Sequence, residues 1–351
     1  MSTEKAKMLR GELNDSILVG DVGGTKSIFA LTSRIDADPE LENLQTFASN
    51  EFSDFHNLLR AYLSIMEVVP EIAVFAVAGP VLNERAGITN LPWQLDAGAI
   101  ATEFGFNGVR LINDLEAMAC LIPHLAAADV VILQDGDHVP GGTIALIAPG
   151  TGLGEAFATW NGASYDAHAT EGGHADFAPC GEEQERLLAY LRNKHGHVSV
   201  ERVCSGTGLA NIHRFLVQEV GEGEDPVVQS KMDEVDDITP ILVAAALSEE
   251  SRVCEHAVRI FVDSLAAEAG NLALTTLATG GVFLGGDLPM RMLPLLQSTS
   301  FIDRFASKGR FSGFLGRIPV SILRDPLSPL RGAGIYGLRM LRNAQDHGTR
   351  K

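Results

Sequence analysis

Short, almost unbroken apolar runs recur along the chain at Ile17–Val22, Ile72–Val77, Val109–Ile112, Val130–Leu133, Gly142–Ala148 and Ile318–Leu323. Runs of this length, rich in branched residues, predict strands buried on both faces. Lys26–Thr32 and Glu155–Trp160 show the same bias without a helical period and are predicted as strands too. Between these runs the apolar spacing lengthens to three and four residues. Phe52–Glu67 is predicted helical, with Phe55, Leu58, Leu59, Tyr62, Leu63 and Met66 on one side. Helices are also expected at Ala97–Phe104, from Leu115 to Ile122, and at Glu182–His195, Pro240–Leu247, Ser251–Ala278 and Pro329–Arg342. Strands interleaved with helices predict an α/β fold. Tyr165–Pro179 is polar and reads as a binding loop, and Glu219–Asp237, with Gly221, Gly223 and Pro226, reads as a solvated acidic connector without chemistry.

Composition narrows this picture. A length of 351 residues suggests two domains, and 46% apolar residues can fill their cores. The balance of 27 basic and 45 acidic residues leaves a net charge of −18. Such a surface disfavours nucleic acid and anionic membrane as partners, so an anionic ligand must be held by local groups against the overall field. The four cysteines, Cys120, Cys180, Cys204 and Cys254, are widely spaced, with no metal-ligand or disulfide pattern. The first residues, MSTEKAKMLRGELND, lack an apolar core and read as a disordered tail over residues 1–16. The longest apolar stretches, such as Ile72–Leu82, are too short to span a membrane, which makes a cytoplasmic location the default expectation.

The candidate chemistry sits where predicted strands end. In Val109–Leu121 the strand hands over to a helix at Asn113-Asp114. Ligands of open α/β sheets bind at such carboxyl ends, and a helix N-terminus favours the charge of Asp114. Asp114 is therefore the candidate catalytic base, although an Asp at this junction is also a common helix cap. Two turns, Asp21-Val22-Gly23-Gly24-Thr25 and Gly150-Thr151-Gly152-Leu153-Gly154, each join two predicted strands. Their glycines let backbone N–H groups approach an anion closely, and their similarity suggests an internal duplication. Each alone also fits an ordinary glycine-rich hairpin. Gly20 to Lys26-Ser27 approximates a P-loop, but Thr25 replaces its second glycine and the turn opens a strand rather than a helix. Further polar clusters are Glu171-Gly172-Gly173-His174, Glu201 ahead of Ser205-Gly206-Thr207-Gly208, and Thr279-Gly280-Gly281-Val282-Phe283-Leu284-Gly285-Gly286. Together these form a phosphoryl-transfer layout, that of a kinase or ATPase, in which a carboxylate takes a hydroxyl proton.

The segments LVGDVGGTKSIFAL, LINDLEAMA, APGTGLGEA, EGGHADFAP, HVSVERVCSGTGL and ATGGVFLGG resemble, in order, those of bacterial glucokinases of the hexokinase/actin-like superfamily. The resemblance implies two RNase-H-like (actin-like ATPase) domains flanking a cleft, a small one over 17–124 plus about 328–345 and a large one over 125–327. It implies ATP bound by Gly20, Asp21, Val22, Gly23, Gly24 and Thr25, by Thr151 and Gly152, and by Gly280 and Gly281 against the adenosine. Glucose is implied as the substrate, held by Asn90, Asn113, Asp114, Glu171, His174 and Glu201, with Asp114 as base for its 6-hydroxyl. Mg²⁺ is implied on the nucleotide, with Asp21 touching its hydration shell. The family often forms dimers, which extends to an expected homodimer. Lys26 departs from the asparagine common in glucokinases and is more like the repressor/ORF/kinase (ROK) sugar kinases, but that family's cysteine-rich zinc motif is missing here. A kinase for another hexose and a sugar-responsive regulator without turnover remain the alternatives.

Overall fold

The computed structural model describes residues 16–32, 40–66, 70–298 and 301–348. The expected N-terminal tail, apart from Ser16, lies outside the described residues, as does Glu67 at the end of the expected first helix. The chain divides into two compact units, one running to Ala126 and including 167–169 and the residues from Leu327, the other holding Ala127–Asp166 and Thr170–Pro326.

In the first unit, strands β1 (Ile17–Val22) and β2 (Lys26–Thr32) form an antiparallel hairpin, and β3 (Leu41–Ala48) adds to the outer edge of β2. On the other side of β1 lies the parallel strand β4 (Ile72–Val77). A small meander of β5 (Val81–Leu82), β6 (Arg85–Gly87) and β7 (Gln94–Asp96) leads on to β8 (Gly108–Asn113), which pairs parallel with β4. The order is β3-β2-β1-β4-β8. Alternate residues of the central strands feed two cores. Leu18, Phe29 and Phe75 join Phe55, Leu58 and Tyr62 of one helix on one face. Ile17, Val19, Val74, Ala76 and Ile112 meet Ala117, Leu330 and Ala333 on the other. Both faces are covered, which is why these strands read as unbroken apolar runs.

The second sheet is built from β9 (Val130–Gln134), β10 (Ile144–Pro149), β11 (Leu153–Trp160), β12 (Tyr165–Thr170), β13 (Gly281–Leu284) and β14 (Val320–Leu323), ordered β12-β11-β10-β13-β14-β9, and all of it but residues 167–169 of β12 belongs to the second unit. Its centre repeats the first sheet. The hairpin β10–β11 is antiparallel, β13 runs parallel to β10, and β14 runs parallel to β13. This shared topology supports the internal duplication suggested by the two glycine turns. The helix Arg252–Thr276 buries Val258, Phe261, Val262, Leu265, Ala269 and Leu272 in this unit's core.

Several elements differ from the sequence reading. The first helix is Phe55–Leu63, shorter than expected because the Asp54 carboxylate accepts from Asn57 N–H at 2.8 Å and caps it there. Strand β3 was not expected. It is an edge strand with mostly exposed residues, so it lacks an apolar run. Most of β12 is likewise at least partly exposed, and it replaces the first part of the expected polar loop. The acidic connector contains a helix, Pro226–Met232, in which Asp225 is the cap and Pro226 takes the first turn rather than breaking the chain. Among the described residues no helix is long and apolar enough to cross a membrane.

The closing helix Ser328–Gly348 crosses the helix Asp114–Leu121 at Gly332, where a Cβ would stand 1.8 Å from the Ala117 carbonyl oxygen. Backbone cannot yield cheaply there, so Gly332→Ala should destabilise the protein by roughly 1–3 kcal/mol. A melting curve should show this as a fall of several degrees, and an unchanged Tm would disprove the close contact.

Candidate active site

In the first unit the candidate residues share one end of one sheet. Val22 of β1 pairs with Val77 of β4, and Val77 with Asn113 of β8. With strands about 4.8 Å apart, the three strand ends form a single rank. Local bonds tie the following loops together. Ala78 N–H donates to Val22 O at 3.1 Å, and Thr89 donates to Ala78 O through its N–H and its hydroxyl. The turn after β1 is closed by Gly23 N–H to Lys26 O at 3.1 Å and braced by the Ser49 hydroxyl on Gly23 O at 2.8 Å. A Cβ on Gly24 would lie 2.4 Å from Thr89 O, so only glycine lets this turn rest on the Thr89-Asn90 loop. Asn90 itself is exposed in a left-handed conformation, with φ of 67°. The chain continues from Lys26 as strand β2, and this excludes the P-loop.

Asn113 and Asp114 divide the work at the end of β8. Asn113, not Asp114, is the cap. Its Oδ1 accepts from Leu115 N–H at 2.9 Å and Glu116 N–H at 3.3 Å, while its amide donates to Gly79 O at 3.1 Å. Asp114 is the first residue of the helix, half-buried, and its Oδ1 also accepts from Leu115 N–H at 2.9 Å. Asp21 lies on the face of β1 shared with Ala76 and Ile112, which this helix covers. Burial pushes the Asp21 carboxyl up to about 6, against the opposing pull of the Lys26 ammonium.

In the second unit the turn after β10 is closed by Gly150 N–H to Gly152 O at 2.8 Å, and Gly206 N–H reaches Gly150 O at 2.8 Å. Glu201 lies directly beneath it. Its Oε2 accepts from Leu153 N–H at 3.0 Å, and a Cβ on Gly152 would come within 2.5 Å of the same oxygen. His174 stands 4.0 Å from Glu201 and 3.8 Å from Glu171, so three carriers of the expected sugar chemistry meet beside the Gly150–Gly154 turn. The side chains of Glu171 and His174 are more than half exposed.

Gly280 and Gly281 lie apart from the other turn residues. Ile144, at the start of β10, pairs with Gly281 at the start of β13, so both glycines lie at the far end of the sheet from Gly150. A Cβ on Gly280 would meet Gly142 O at 2.4 Å, so its glycine serves backbone packing. The glycine pair at the Gly150 end of the sheet is Gly285-Gly286. Gly285 N–H donates to Ile147 O at 2.9 Å, and a Cβ on Gly286 would meet Pro149 O at 3.0 Å. Nearby, Thr239, Pro240, Val243, Ala244, Leu247, Leu288 and Arg291 line a largely apolar cavity of about 290 Å³. Thr239 connects it to the turn by donating its hydroxyl to Gly206 O at 3.0 Å. The sequence reading missed this cavity because its walls come from two helices separated in the chain. The acidic connector also holds chemistry that was missed. Glu224 is buried against His213 at 2.7 Å, Cys254 at 3.4 Å and Ser251. Its carboxylate also accepts from Asp225 N–H at 2.8 Å, so it is satisfied as a structural hub without an ion.

The family model described as Glucokinase matches residues 18–340. A curated glucokinase from Nostoc sp. is 37% identical over 340 residues, spanning 92% of this chain and 99% of the relative. A solved glucokinase from an Antarctic psychrotroph has a TM-score of 0.78 at 33% identity, covering 92% of this chain and 98% of its own. The glucokinase of Balamuthia mandrillaris, solved in complex with glucose, has a TM-score of 0.78 at 21% identity over 96% of this chain and 99% of its own, a likeness of fold alone. Matched by the family model over residues 18–340 and 37% identical to a curated glucokinase along nearly its whole length, the chain belongs to the glucokinase family.

Proposed function

We propose that the protein transfers the γ-phosphate of ATP to the 6-hydroxyl of glucose, with Asp114 as the general base. The observation that carries this reading is the gathering of Glu171, His174 and Glu201 within 4.0 Å steps beside the Gly150–Gly154 turn, where sugar and phosphate chemistry adjoin. The reading includes the actin-like arrangement of two RNase-H-like domains, in which both groups of residues serve one sugar and one nucleotide.

Each residue type suits its role. A hexose presents hydroxyls that both donate and accept, and the carboxylates of Glu171 and Glu201, the imidazole of His174 and the amide of Asn90 answer both needs. Asn113 has spent its oxygen on the helix and one N–H on Gly79, so its main task is to hold Asp114, with one N–H left for sugar. Asp114 accepts the hydroxyl proton. A carboxylate is a weak base, which suffices when proton transfer comes late in a loose transition state. Backbone N–H groups of Gly24 and Thr25 and of Thr151 and Gly152 donate to phosphate oxygens, while the Gly23 N–H, bonded to Lys26 O, closes the first turn. Gly285-Gly286, in place of Gly280 and Gly281, lie against the adenosine, and the cavity beyond takes the adenine.

Asp21 fits a magnesium ion held through water, since its half-buried carboxyl lies beside the first turn and such ions bind through one or two carboxylates and several waters. The chemistry Mg²⁺ supplies is neutralisation of phosphate charge; Asp21 would orient its hydration shell.

A coupled assay of glucose, ATP and Mg²⁺ should yield glucose 6-phosphate, with mannose and glucosamine as weaker substrates in competition; no product at high enzyme concentration rejects the reading. Asp114→Asn should lower kcat by about a thousandfold while leaving glucose affinity nearly unchanged. A variant with near wild-type kcat removes Asp114 from its role.

Ala244→Trp should fill the cavity and raise the KM for ATP by roughly tenfold or more at constant glucose KM. A change confined to glucose would place the adenine elsewhere.

The raised pKa of Asp21 has a stability consequence. Unfolded Asp21 ionises near 3.8 and folded Asp21 near about 6, so the native state holds the extra proton and stability falls as pH rises through that window. Asp21→Asn should therefore melt higher than wild type at about pH 7.5, with the gap closing towards about pH 4. Equal gaps at both pH values would contradict the burial of this charge.

A further inference from the structure

Glu155 is an acid the mechanism does not use. It sits on β11, one residue past the second glycine turn, and is 3% exposed. Its Oε1 has no hydrogen-bond partner. Its Oε2 abuts the main chain of Gly172, where a Cβ would stand only 2.0 Å away. Thr170 reinforces the contact, donating its hydroxyl to Glu155 O at 3.0 Å and accepting from Gly172 N–H at 3.1 Å. Gly172 in turn opens the tight turn Gly172–His174, closed by His174 N–H to Glu171 O at 3.0 Å. The carboxyl thus forms the floor beneath the two exposed side chains, Glu171 and His174.

The groups facing Glu155 do not favour a charge. Glu268 approaches from the helix Arg252–Thr276, and the buried Cys204 thiol comes from the segment before Gly206. The cation beyond them, Lys308, is engaged with Ala267 O at 2.8 Å and Asn271 Oδ1 at 2.6 Å, and Asn271 donates to Glu268 at 2.9 Å. Burial first, and Glu268 second, push the Glu155 carboxyl up to about 8, so at neutral pH it is an uncharged acid. An ionised carboxylate there would need water, and the element it abuts is the Gly172 turn.

We propose that Glu155 is a positioning residue for the sugar loop: as a neutral acid it props Gly172 and sets the places of Glu171 and His174, and its ionisation at alkaline pH loosens that loop and weakens sugar binding without altering phosphoryl transfer. The proposal rests on the reading of Glu171 and His174 as sugar ligands.

The test compares the wild type with Glu155→Gln, a neutral side chain of the same shape, from about pH 7 to about pH 9. The glucose KM of the wild type should rise by roughly tenfold with kcat at saturation nearly constant, whereas Glu155→Gln keeps a flat, low KM. Hydrogen exchange of peptides covering 170–176, corrected for the intrinsic effect of pH, should accelerate over the same range in the wild type and not in the variant. Parallel KM profiles in the two proteins overturn the proposal. If neither protein phosphorylates a hexose at any pH, the functional reading fails separately, and loop exchange alone decides whether Glu155 props the turn. If Glu155→Gln does not fold, Glu155→Leu replaces it, and a wild-type loop whose exchange ignores pH overturns the proposal.

Discussion

Everything that could bind a ligand in this protein depends on parallel strands ending in step. Val22, Val77 and Asn113 are neighbours across β1, β4 and β8, and the loops that follow each strand are then bonded to one another through Ala78, Gly79 and Thr89. A slip of one residue in any pairing would turn Asp21 to the opposite face of the sheet and move Asp114 out of rank. The second unit repeats the device with Pro149, Gly285 and the end of β14. The same rule displaces Gly280 and Gly281. A glycine pair at the start of a parallel strand lies a full strand length from a pair at its end, about 13 Å for four residues.

Charge sets the second constraint. The proposed polyphosphate meets a chain of net charge −18, and the second turn itself packs on the Glu201 carboxylate. In the proposed reading backbone N–H groups resolve this, because they present positive dipoles without adding side chains that would pair with nearby carboxylates. The glycines are needed for close approach to protein as much as to ligand. Gly24 rests on Thr89, Gly152 on Glu201 and Gly172 on Glu155. Burial raises the Glu155 carboxyl to about 8 and that of Asp21 to about 6, which leaves Asp21 ionised at neutral pH.

Much of this was readable in the sequence because the informative strands are buried on both faces. Ile17–Val22 and Ile72–Val77 match their predicted bounds, and Asn113-Asp114 stands where the apolar period changes. The edge strands β3 and β12 were not legible, since a strand paired on one side and wetted on its faces carries no apolar run. Pro226 misled because proline marks both a turn and the first turn of a helix. The Glu224 hub and the cavity of about 290 Å³ draw their residues from distant segments, and local spacing cannot express that convergence. The sequence reading assigned the nucleotide to Gly280-Gly281, and only strand direction shows that Gly285-Gly286 stand at the end of the sheet that carries Gly150.

At the Asn113-Asp114 junction the cap and the proposed base are adjacent residues rather than one. A carboxylate used as the cap would commit an oxygen to both the second and third N–H groups; Asp114 instead shares only Leu115 N–H with Asn113. Here the Asn113 amide supplies that oxygen, and its nitrogen fixes the loop at Gly79. Asp114 is thereby set one residue further along, inside the helix, where the N-terminus favours negative charge and its side chain is still half exposed. The closing helix holds the arrangement from behind, through the absent side chain of Gly332 against Ala117. The position of one acid thus follows from an amide cap, a strand register and a glycine more than two hundred residues away, and the proposed base stands where those three together put it.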